Sequence, residues 1–122
     1  MIVLDEQLID PQIAAEIQRR YKGAVINILD LRPQTQINDD VIPSLLRRVR
    51  QPTFVTINYV DFWKIVKANH AYCVICLKLP GERSREVPAL VQHLLKMKEF
   101  STKRTRMGKV ISWRDGKINF YE

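Results

Sequence analysis

The chain has 122 residues, of which 46% are hydrophobic and 27% are charged. This composition excludes a disordered, collagen-like or low-complexity chain, and no apolar run approaches the roughly 18 residues of a membrane-spanning helix. Lysine and arginine number 20 against 13 acidic residues, so the net charge of +7 favours a polyanionic or acidic partner. From the length we expect one domain over residues 1–122.

The charges are divided unevenly along the chain. Residues 1–61 carry seven basic and eight acidic side chains, whereas residues 62–122 carry 13 basic and five acidic ones. Carboxylates beside a cationic surface are the arrangement that a metal-dependent nuclease needs. Charge asymmetry of this kind also occurs in basic proteins that bind no nucleic acid.

Short apolar runs alternate with helical patterns in the first half of the chain. The sequence begins with Ile2-Val3-Leu4, which predicts a fully buried strand. The next predicted elements are a helix from Asp10-Pro11 to the stop at Gly23, a buried strand over 24–29, a polar stretch over 32–36, and a helix that Asn38 or Asp39 caps and Gln51-Pro52 ends.

The alternation continues in the second half and then changes. The predicted elements are a strand over 54–57, a short helix over 61–67, a strand over 72–79, a helix from the cap Ser84 to about Glu99, and a hairpin whose strands 110–113 and 118–121 flank Asp115-Gly116. Four buried strands alternating with helices predict an α/β fold with three layers, α/β/α, and a mostly parallel central sheet. The hairpin, over about residues 108–122, adds an antiparallel pair.

Two cysteines, Cys73 and Cys76, lie three residues apart on the fourth predicted strand. Residues three apart on a strand point to opposite faces, so we expect buried reduced thiols rather than a zinc site or a disulfide. The chain opens directly into a strand pattern without a leader-like segment. The expected location is therefore the cytoplasm.

An acidic set follows the predicted strands, at the edge where parallel α/β sheets place their functional crevice. Its members are Asp5 and Glu6 after the first strand, Asp30 after the second, Asp39 and Asp40 at a helix start, and Asn58 and Asp61 after the third. Converging carboxylates repel one another unless protons or a cation compensate, and oxygen ligands suit Mg²⁺ or Mn²⁺. Such an ion activates water and neutralises charge on a phosphodiester.

A structural explanation of the same acids stays open. Asp39 can simply cap its helix, Asp30 can turn the chain, and Asp61 can cap the short helix that follows.

A basic set in the second half is the candidate surface for nucleic acid. Lys103, Arg104, Arg106 and Lys109 lie in a flexible-looking stretch that can follow a phosphate backbone. Trp113, Phe120 and Tyr121 can offer stacking faces near it. The alternative is a solvated loop with aromatic side chains that face the core.

Three segments in the first half resemble the short subgroup of the PIN-like family. They are Leu4-Asp5-Glu6 with Leu8 after it, Asp39-Asp40-Val41-Ile42 at a helix start, and Phe54-Val55-Thr56-Ile57-Asn58 followed by Asp61-Phe62. The family pattern has a first strand ending in Asp-Glu-Asn, a later Asp-Glu-Glu-Ile helix start and a Thr-Asn-Asp-x-Asp-Phe segment. The match covers about residues 1–63 and rests beyond them on the order of the elements.

The resemblance implies a ribonuclease that depends on Mg²⁺ or Mn²⁺, in a family that supplies the toxins of many bacterial toxin–antitoxin pairs. It implies Asp5, Asp39 and Asp61 as the catalytic acids. The wider candidate metal site adds Glu6, Asp40 and Asn58. The implied partners are RNA and an antitoxin-like protein, with no membrane partner and with self-association left open.

The sequence departs from the family pattern at three points. Gln7 stands where Asn is usual, Asn58 stands where Asp is frequent, and one extra residue separates Asn58 from Asp61. A missing charge at Asn58 weakens cation binding. Two other hypotheses therefore stand beside the nuclease: a catalytically decayed PIN-like protein that binds protein or nucleic acid, and a basic module that binds nucleic acid without cutting it.

Overall fold

Six strands form the central sheet of the computed structural model, which describes residues 1–32 and 37–122. They are β1 (Ile2–Leu4), β2 (Val25–Asn27), β3 (Thr53–Thr56), β4 (Cys73–Leu77), β5 (Val110–Arg114) and β6 (Lys117–Tyr121). Their order is β2-β1-β3-β4-β5-β6, with every neighbouring pair parallel except β5 and β6. The predicted α/β fold, with its mostly parallel sheet and C-terminal hairpin, is confirmed.

Within the described residues, five α-helices and short 3-10 turns connect the strands. The helices are α1 (Pro11–Gln18), α2 (Ile42–Leu46), α3 (Tyr59–Phe62), α4 (Val87–Lys96) and α5 (Lys103–Arg106). The 3-10 segments are Glu6–Leu8, Ile28–Asp30, Asp39–Val41, Gly81–Glu86 and Lys98–Phe100. Among the described residues, no helix has the length and apolar character needed to cross a membrane.

The sheet buries a separate hydrophobic core on each of its faces. Alternate strand residues point to opposite sides, so Leu4 packs in the core beneath α1 and α4, whereas Val3 packs in the core beneath α2 and α3. In β3, Val55 and Phe54 divide in the same way. The three layers therefore follow from the period-two pattern of fully buried strands.

The two cysteines of β4 belong to different cores. Cys73 packs on the side of α1 and α4 and Cys76 on the side of α2 and α3, and both are free and fully buried. Burial raises the pKa of each thiol to about 12. The predicted pair of buried thiols on opposite faces is confirmed.

The second strand is less buried than predicted. It covers three residues, Val25–Asn27, all of intermediate exposure, because β2 is an edge strand with β1 as its one partner in the sheet. The chain then turns through Ile28–Asp30, where Asn27 and Asp30 form a reciprocal capping box. The predicted polar stretch over 32–36 lies, beyond Arg32, outside the described residues.

Two helix starts also differ from the prediction. Ser84 does not cap the long helix; it lies within the 3-10 segment Gly81–Glu86, and α4 begins at Val87 with Pro88 in its first turn. The short helix expected over 61–67 is α3, which begins at Tyr59. Proline fixes its own φ near the helical value and lacks the N–H that a first turn leaves unpaired, so Pro88 marks the start better than Ser84 does.

The hairpin turn depends on backbone conformation rather than on packing. Asp115 and Gly116 have φ angles of +50° and +79°, as a two-residue turn between twisted strands requires. We expect Gly116→Ala to lower the free energy of unfolding by about 1 kcal/mol, because alanine is strained at positive φ. Chemical denaturation measures the change.

Gly81→Ala is the matched control for this prediction. A Cβ atom meets nothing within 4 Å at either glycine, but Gly81 lacks a positive φ. Its substitution should leave stability unchanged or raise it by about 0.5 kcal/mol. Equal effects at both positions would contradict the assignment of the cost to φ.

Candidate functional site

The carboxyl ends of β1 and β3 meet at the point where the order of the sheet reverses. β1 pairs with β2 on one side and with β3 on the other, and Leu4 lies opposite Val55. The next residues, Asp5 and Thr56, are therefore neighbours. Ligands of doubly wound sheets bind at such a reversal point, outside the carboxyl ends of the strands.

Asp5 is fixed at this point by two hydrogen bonds. Its side chain is only 3% exposed. The Thr56 hydroxyl donates to Asp5 Oδ2 over 2.6 Å, and the Glu6 backbone N–H donates to Asp5 Oδ1 over 2.8 Å. Thr56 Oγ1 in turn accepts from the Asn58 N–H at 2.9 Å. Asp5 thus has one orientation, which Thr56 links to the loop after β3.

Asn58 bridges the two other predicted catalytic acids. Its Nδ2 donates to Asp61 Oδ2 over 2.9 Å and to Asp39 Oδ2 over 3.3 Å. Asp39 is half-buried and Asp61 is exposed. The loop after β3 and the 3-10 segment Asp39–Val41 therefore bring these carboxylates together around one amide group.

The carboxylates of this site gather without a basic counter-charge. Among the described residues the only ion pairs within 4.0 Å are Arg83 with Glu86 and Arg114 with Asp115. Burial raises the pKa of Asp5; its two hydrogen bonds oppose that rise, while Asp39 and Glu6 add to it. Burial and the nearby Asp61, Glu6 and Asp40 raise the pKa of Asp39.

The structure separates the predicted acids into an inner and an outer group. Asp39 and Asp61 come together at Asn58 with Asp5 near Asp39, and Glu6 and Asp40 lie exposed beside them. Asp30 stands apart, because its carboxylate accepts from the Asn27 N–H in the capping box. The alternative of a separate structural role therefore holds for Asp30.

Asp39 and Asp61 do not cap their helices. Asn38 holds the N-cap position of the segment Asp39–Val41, and Asn58 holds that of α3. The capping explanation of these two acids is wrong. Instead, both carboxylates accept hydrogen bonds from the Asn58 side chain.

The donor set has the chemistry of a Mg²⁺ or Mn²⁺ site, since its side chains are carboxylates and an amide. Among residues 1–32 and 37–122, however, no three His, Cys, Asp or Glu side chains are grouped closely enough to hold an ion. Asp39 and Asp61 form the nearest pair, with Asn58 between them. A half-turn of the Asn58 amide presents its oxygen in place of its nitrogen and completes a three-residue oxygen set.

Two grooves flank the site, and both are lined by cations that the sequence analysis did not assign to it. One, of about 650 Å³, is lined by Asp39, Asp61, Arg47 and Lys67 among others. The other, of about 700 Å³, is lined by Gln7, Asn58, Lys78 and Arg83 among others. Lys78 directly follows β4, so the rule that selected the acids also points to it.

Thr56 was also missed by sequence reasoning. It is the last residue of β3 and has no exposed surface. A hydroxyl at the functional edge of a fully buried strand needs a partner, and this requirement is the pattern that points to Thr56.

The predicted nucleic-acid surface takes a different form from the flexible-looking stretch expected. Lys103–Arg106 is the helix α5, which Thr102 caps through a capping box, and Arg106 is only 3% exposed. Lys109 lies over the rings of Phe100 and Phe120, 5.6 and 4.9 Å from their centroids. Arg104 is exposed.

This basic set lies far from the acidic site. α5 precedes β5, and Arg106 contacts Thr53 at the start of β3, so the set is at the amino ends of the strands. The acids are at the carboxyl ends. The two sets therefore occupy opposite edges of the sheet.

The fold and site together define a doubly wound α/β protein with an acidic crevice at the reversal point of its sheet. Comparison of the chain with protein-family models, curated protein sequences and solved structures finds no match. The relationship to the PIN-like family stays a prediction from the segments quoted above.

Replacing Asp5 tests whether the site stores electrostatic strain. Because folding raises the pKa of this carboxyl above its usual value near 3.8, the folded chain binds the proton more tightly. The free energy of unfolding should therefore fall as the pH rises from the usual pKa of aspartate to the higher pKa that Asp5 has in the folded chain. Without added metal, Asp5→Asn should unfold at a higher temperature than the wild type at pH 7.

The advantage of Asp5→Asn should vanish as the pH falls below the usual pKa, where the wild-type carboxyl is also neutral. Asp10→Asn is the matched control, since asparagine caps a helix as well as aspartate does. Thermal melts across pH measure both differences. A destabilised Asp5→Asn at pH 7 would show that the charge helps the fold.

Proposed function

We propose that the protein is a PIN-like endoribonuclease that depends on Mg²⁺ or Mn²⁺ and uses Asp5, Asp39 and Asp61 as its acids. The observation that carries the proposal is the pairing of Asp39 and Asp61 around Asn58, with Asp5 near Asp39, at the carboxyl ends of β1 and β3. Their mutual repulsion, with no basic group of the described residues within 4.0 Å of them, supports a divalent cation as the balancing charge.

Each acid has a distinct place in the proposed site. Asp39 and Asp61 hold the ion, with the Asn58 oxygen as a neutral third donor. Thr56 and the Glu6 N–H keep Asp5 in one orientation, and Asp5 is the buried acid of the proposed site. The bound ion supplies Lewis-acid charge and lowers the pKa of a coordinated water.

The raised pKa of Asp39 supports a cation as the balancing charge of the site. Burial and the neighbouring carboxylates oppose the ionisation of Asp39, and a divalent ion held by Asp39 and Asp61 would offset both effects. Asp39 is also half-buried and lines the open groove, so it is accessible to a substrate.

The RNA contacts are assigned to the cations of the two flanking grooves. Arg47 and Lys67 share a groove with Asp39 and Asp61, and Lys78 and Arg83 share a groove with Asn58. Cations at these positions neutralise backbone phosphates on either side of the acids. We assign the substrate path to them rather than to α5, which lies at the other edge of the sheet.

The partners in the proposed biological setting come from the resemblance, and the location comes from the sequence pattern. It comprises an RNA substrate, an antitoxin-like protein partner and a place in the cytoplasm, with which two unpaired thiols are compatible.

RNA cleavage tests the proposal directly. Single-stranded RNA incubated with Mn²⁺ or Mg²⁺ should be cut by the wild type, and Asp39→Asn or Asp61→Asn should slow cleavage at least about tenfold, or about 1.4 kcal/mol in activation free energy. Asp30→Asn is the matched control, because Asp30 lies in its own capping box. Metal-independent cleavage, or equal rates in all four proteins, would overturn the proposal.

A second candidate function is a decayed site that binds without cutting. The observation in its favour is the Asn58 amide, whose hydrogen atoms occupy the space between Asp39 and Asp61 where a cation would bind. In that case the two carboxylates are balanced by hydrogen bonds, and the flanking grooves serve a partner.

Asn58→Asp separates the two candidates. A third carboxylate should raise the affinity for Mn²⁺ about tenfold or more, or about 1.4 kcal/mol, because ligand charge sets affinity. Calorimetric titration measures this change, and the same titration of the wild type shows whether it binds at all. A wild type that ignores Mn²⁺ while Asn58→Asp binds it would favour the decayed site.

A further inference from the structure

A cavity of about 590 Å³ opens at the amino ends of the strands, on the opposite edge of the sheet from the acids. Its walls come from the end of α1, the residues that follow α1, one side of α4, and α5 with Ser101 before it. This volume is ordinary for a small-molecule site.

The cavity is lined by a buried guanidinium. Arg106 is 3% exposed, and no carboxylate of the described residues lies within 4.0 Å of it. Its Nε donates to Thr53 Oγ1 over 3.2 Å and its Nη1 donates to the Phe100 carbonyl over 2.9 Å. Both contacts are neutral, so the positive charge is buried without an anion.

The third guanidinium nitrogen of Arg106, Nη2, is available to bind a ligand. Among the described residues Nη2 has no acceptor. Every fully enclosed side-chain nitrogen or oxygen of those residues has a partner, so Nη2 retains some accessible surface, on a side chain that lines the cavity. A guanidinium stays protonated at neutral pH and matches the geometry of phosphate oxygens.

The remaining charges of the cavity reinforce this preference. Four more cations line it, Arg20, Lys22, Lys96 and Lys103, against the single acid Glu16. Arg20 donates to the Gln92 side chain, which fixes one cation on the wall between α1 and α4. A concave site of one sign concentrates its field on an entering ion of the other sign.

Part of the wall is apolar and includes an aromatic ring. Ile17 and Val91 are buried beside the cavity, and Tyr21 closes one side. The Tyr21 ring lies against Gly23, where a Cβ atom would come within 2.6 Å of it. The Gln18 side chain donates to the carbonyls of Tyr21 and Gly23 and fixes this turn. The ring is thus placed by this turn and by the Met1 ammonium, which donates to the Tyr21 hydroxyl over 3.0 Å.

We propose that this cavity binds a phosphomonoester of mononucleotide size, with the phosphoryl group on Arg106 and Lys103 and the base beside Tyr21. The observation behind it is the juxtaposition of a buried, unpaired guanidinium with a cationic rim and an aromatic wall. The proposal does not rest on ribonuclease activity, because the cavity and the acids lie at opposite edges of the sheet.

Calorimetry with inorganic phosphate, adenosine monophosphate and adenosine tests the assignment. The monophosphate should bind, phosphate should bind more weakly, and adenosine should bind at least about tenfold more weakly than the monophosphate. Lys103→Glu should weaken the monophosphate and phosphate at least about tenfold. Tyr21→Leu should weaken the monophosphate because it removes the stacking face, whereas Tyr21→Phe, which keeps the ring and lacks the hydroxyl that accepts from the Met1 ammonium, should bind it as the wild type does.

Arg104→Glu is the matched control, since Arg104 neighbours Lys103 on α5 and is exposed. It should alter the affinity by less than about twofold. Equal losses in Arg104→Glu and Lys103→Glu would reduce the effect to general charge and overturn the site. So would adenosine binding as tightly as its monophosphate, or no binding of the monophosphate at millimolar concentration.

A 5′-phosphorylated oligoribonucleotide identifies the source of the phosphomonoester. If it competes with adenosine monophosphate and its unphosphorylated counterpart does not, the site takes RNA 5′ ends as well as free nucleotides. If neither competes while the monophosphate binds, the ligand is the free nucleotide. Both outcomes support the phosphomonoester, and competition by the unphosphorylated strand would contradict it.

Discussion

The parallel register of β1 and β3 is the constraint on which the acidic site depends. It sets Leu4 beside Val55, so the next two residues, Asp5 and Thr56, meet outside the sheet without any contribution from a loop. Thr56 accepts a hydrogen bond from the Asn58 N–H and so holds the loop after β3 in place. The Asn58 side chain then contacts Asp61 on α3 and Asp39 in the connection between β2 and β3. A slip of one residue would turn Asp5 to the other face of the sheet and separate the whole network.

The same constraint opposes stability and function at one place. An acid that is 3% exposed, with neutral donors only, raises the free energy of the folded chain at neutral pH. Nearby carboxylates add repulsion, and no basic group of the described residues forms an ion pair with them within 4.0 Å. Functional sites commonly carry such a cost, and the two well-packed cores on either side of the sheet offset it.

Much of the fold could be predicted from the sequence, because the spacing of apolar residues distinguishes buried strands from amphipathic helices. The hairpin at Asp115-Gly116 and the opposite faces of Cys73 and Cys76 are local consequences of strand geometry. The half-buried state of β2 was missed, because an edge position is a property of the whole sheet. The burial of Arg106 was missed for the same reason. Its partner Thr53 is distant in sequence, and the Phe100 carbonyl reaches it only because the chain turns between Phe100 and α5.

The two thiols of β4 can form a disulfide in the unfolded chain but not in the folded one. In the folded state they point to opposite faces and are protonated at neutral pH, with pKa values of about 12, so they can neither ionise nor meet. In the unfolded chain they stand three residues apart on a free backbone and can close a small disulfide ring. A disulfide between Cys73 and Cys76 therefore forms only in chains that have unfolded, and it opposes refolding because the closed ring does not fit strand β4.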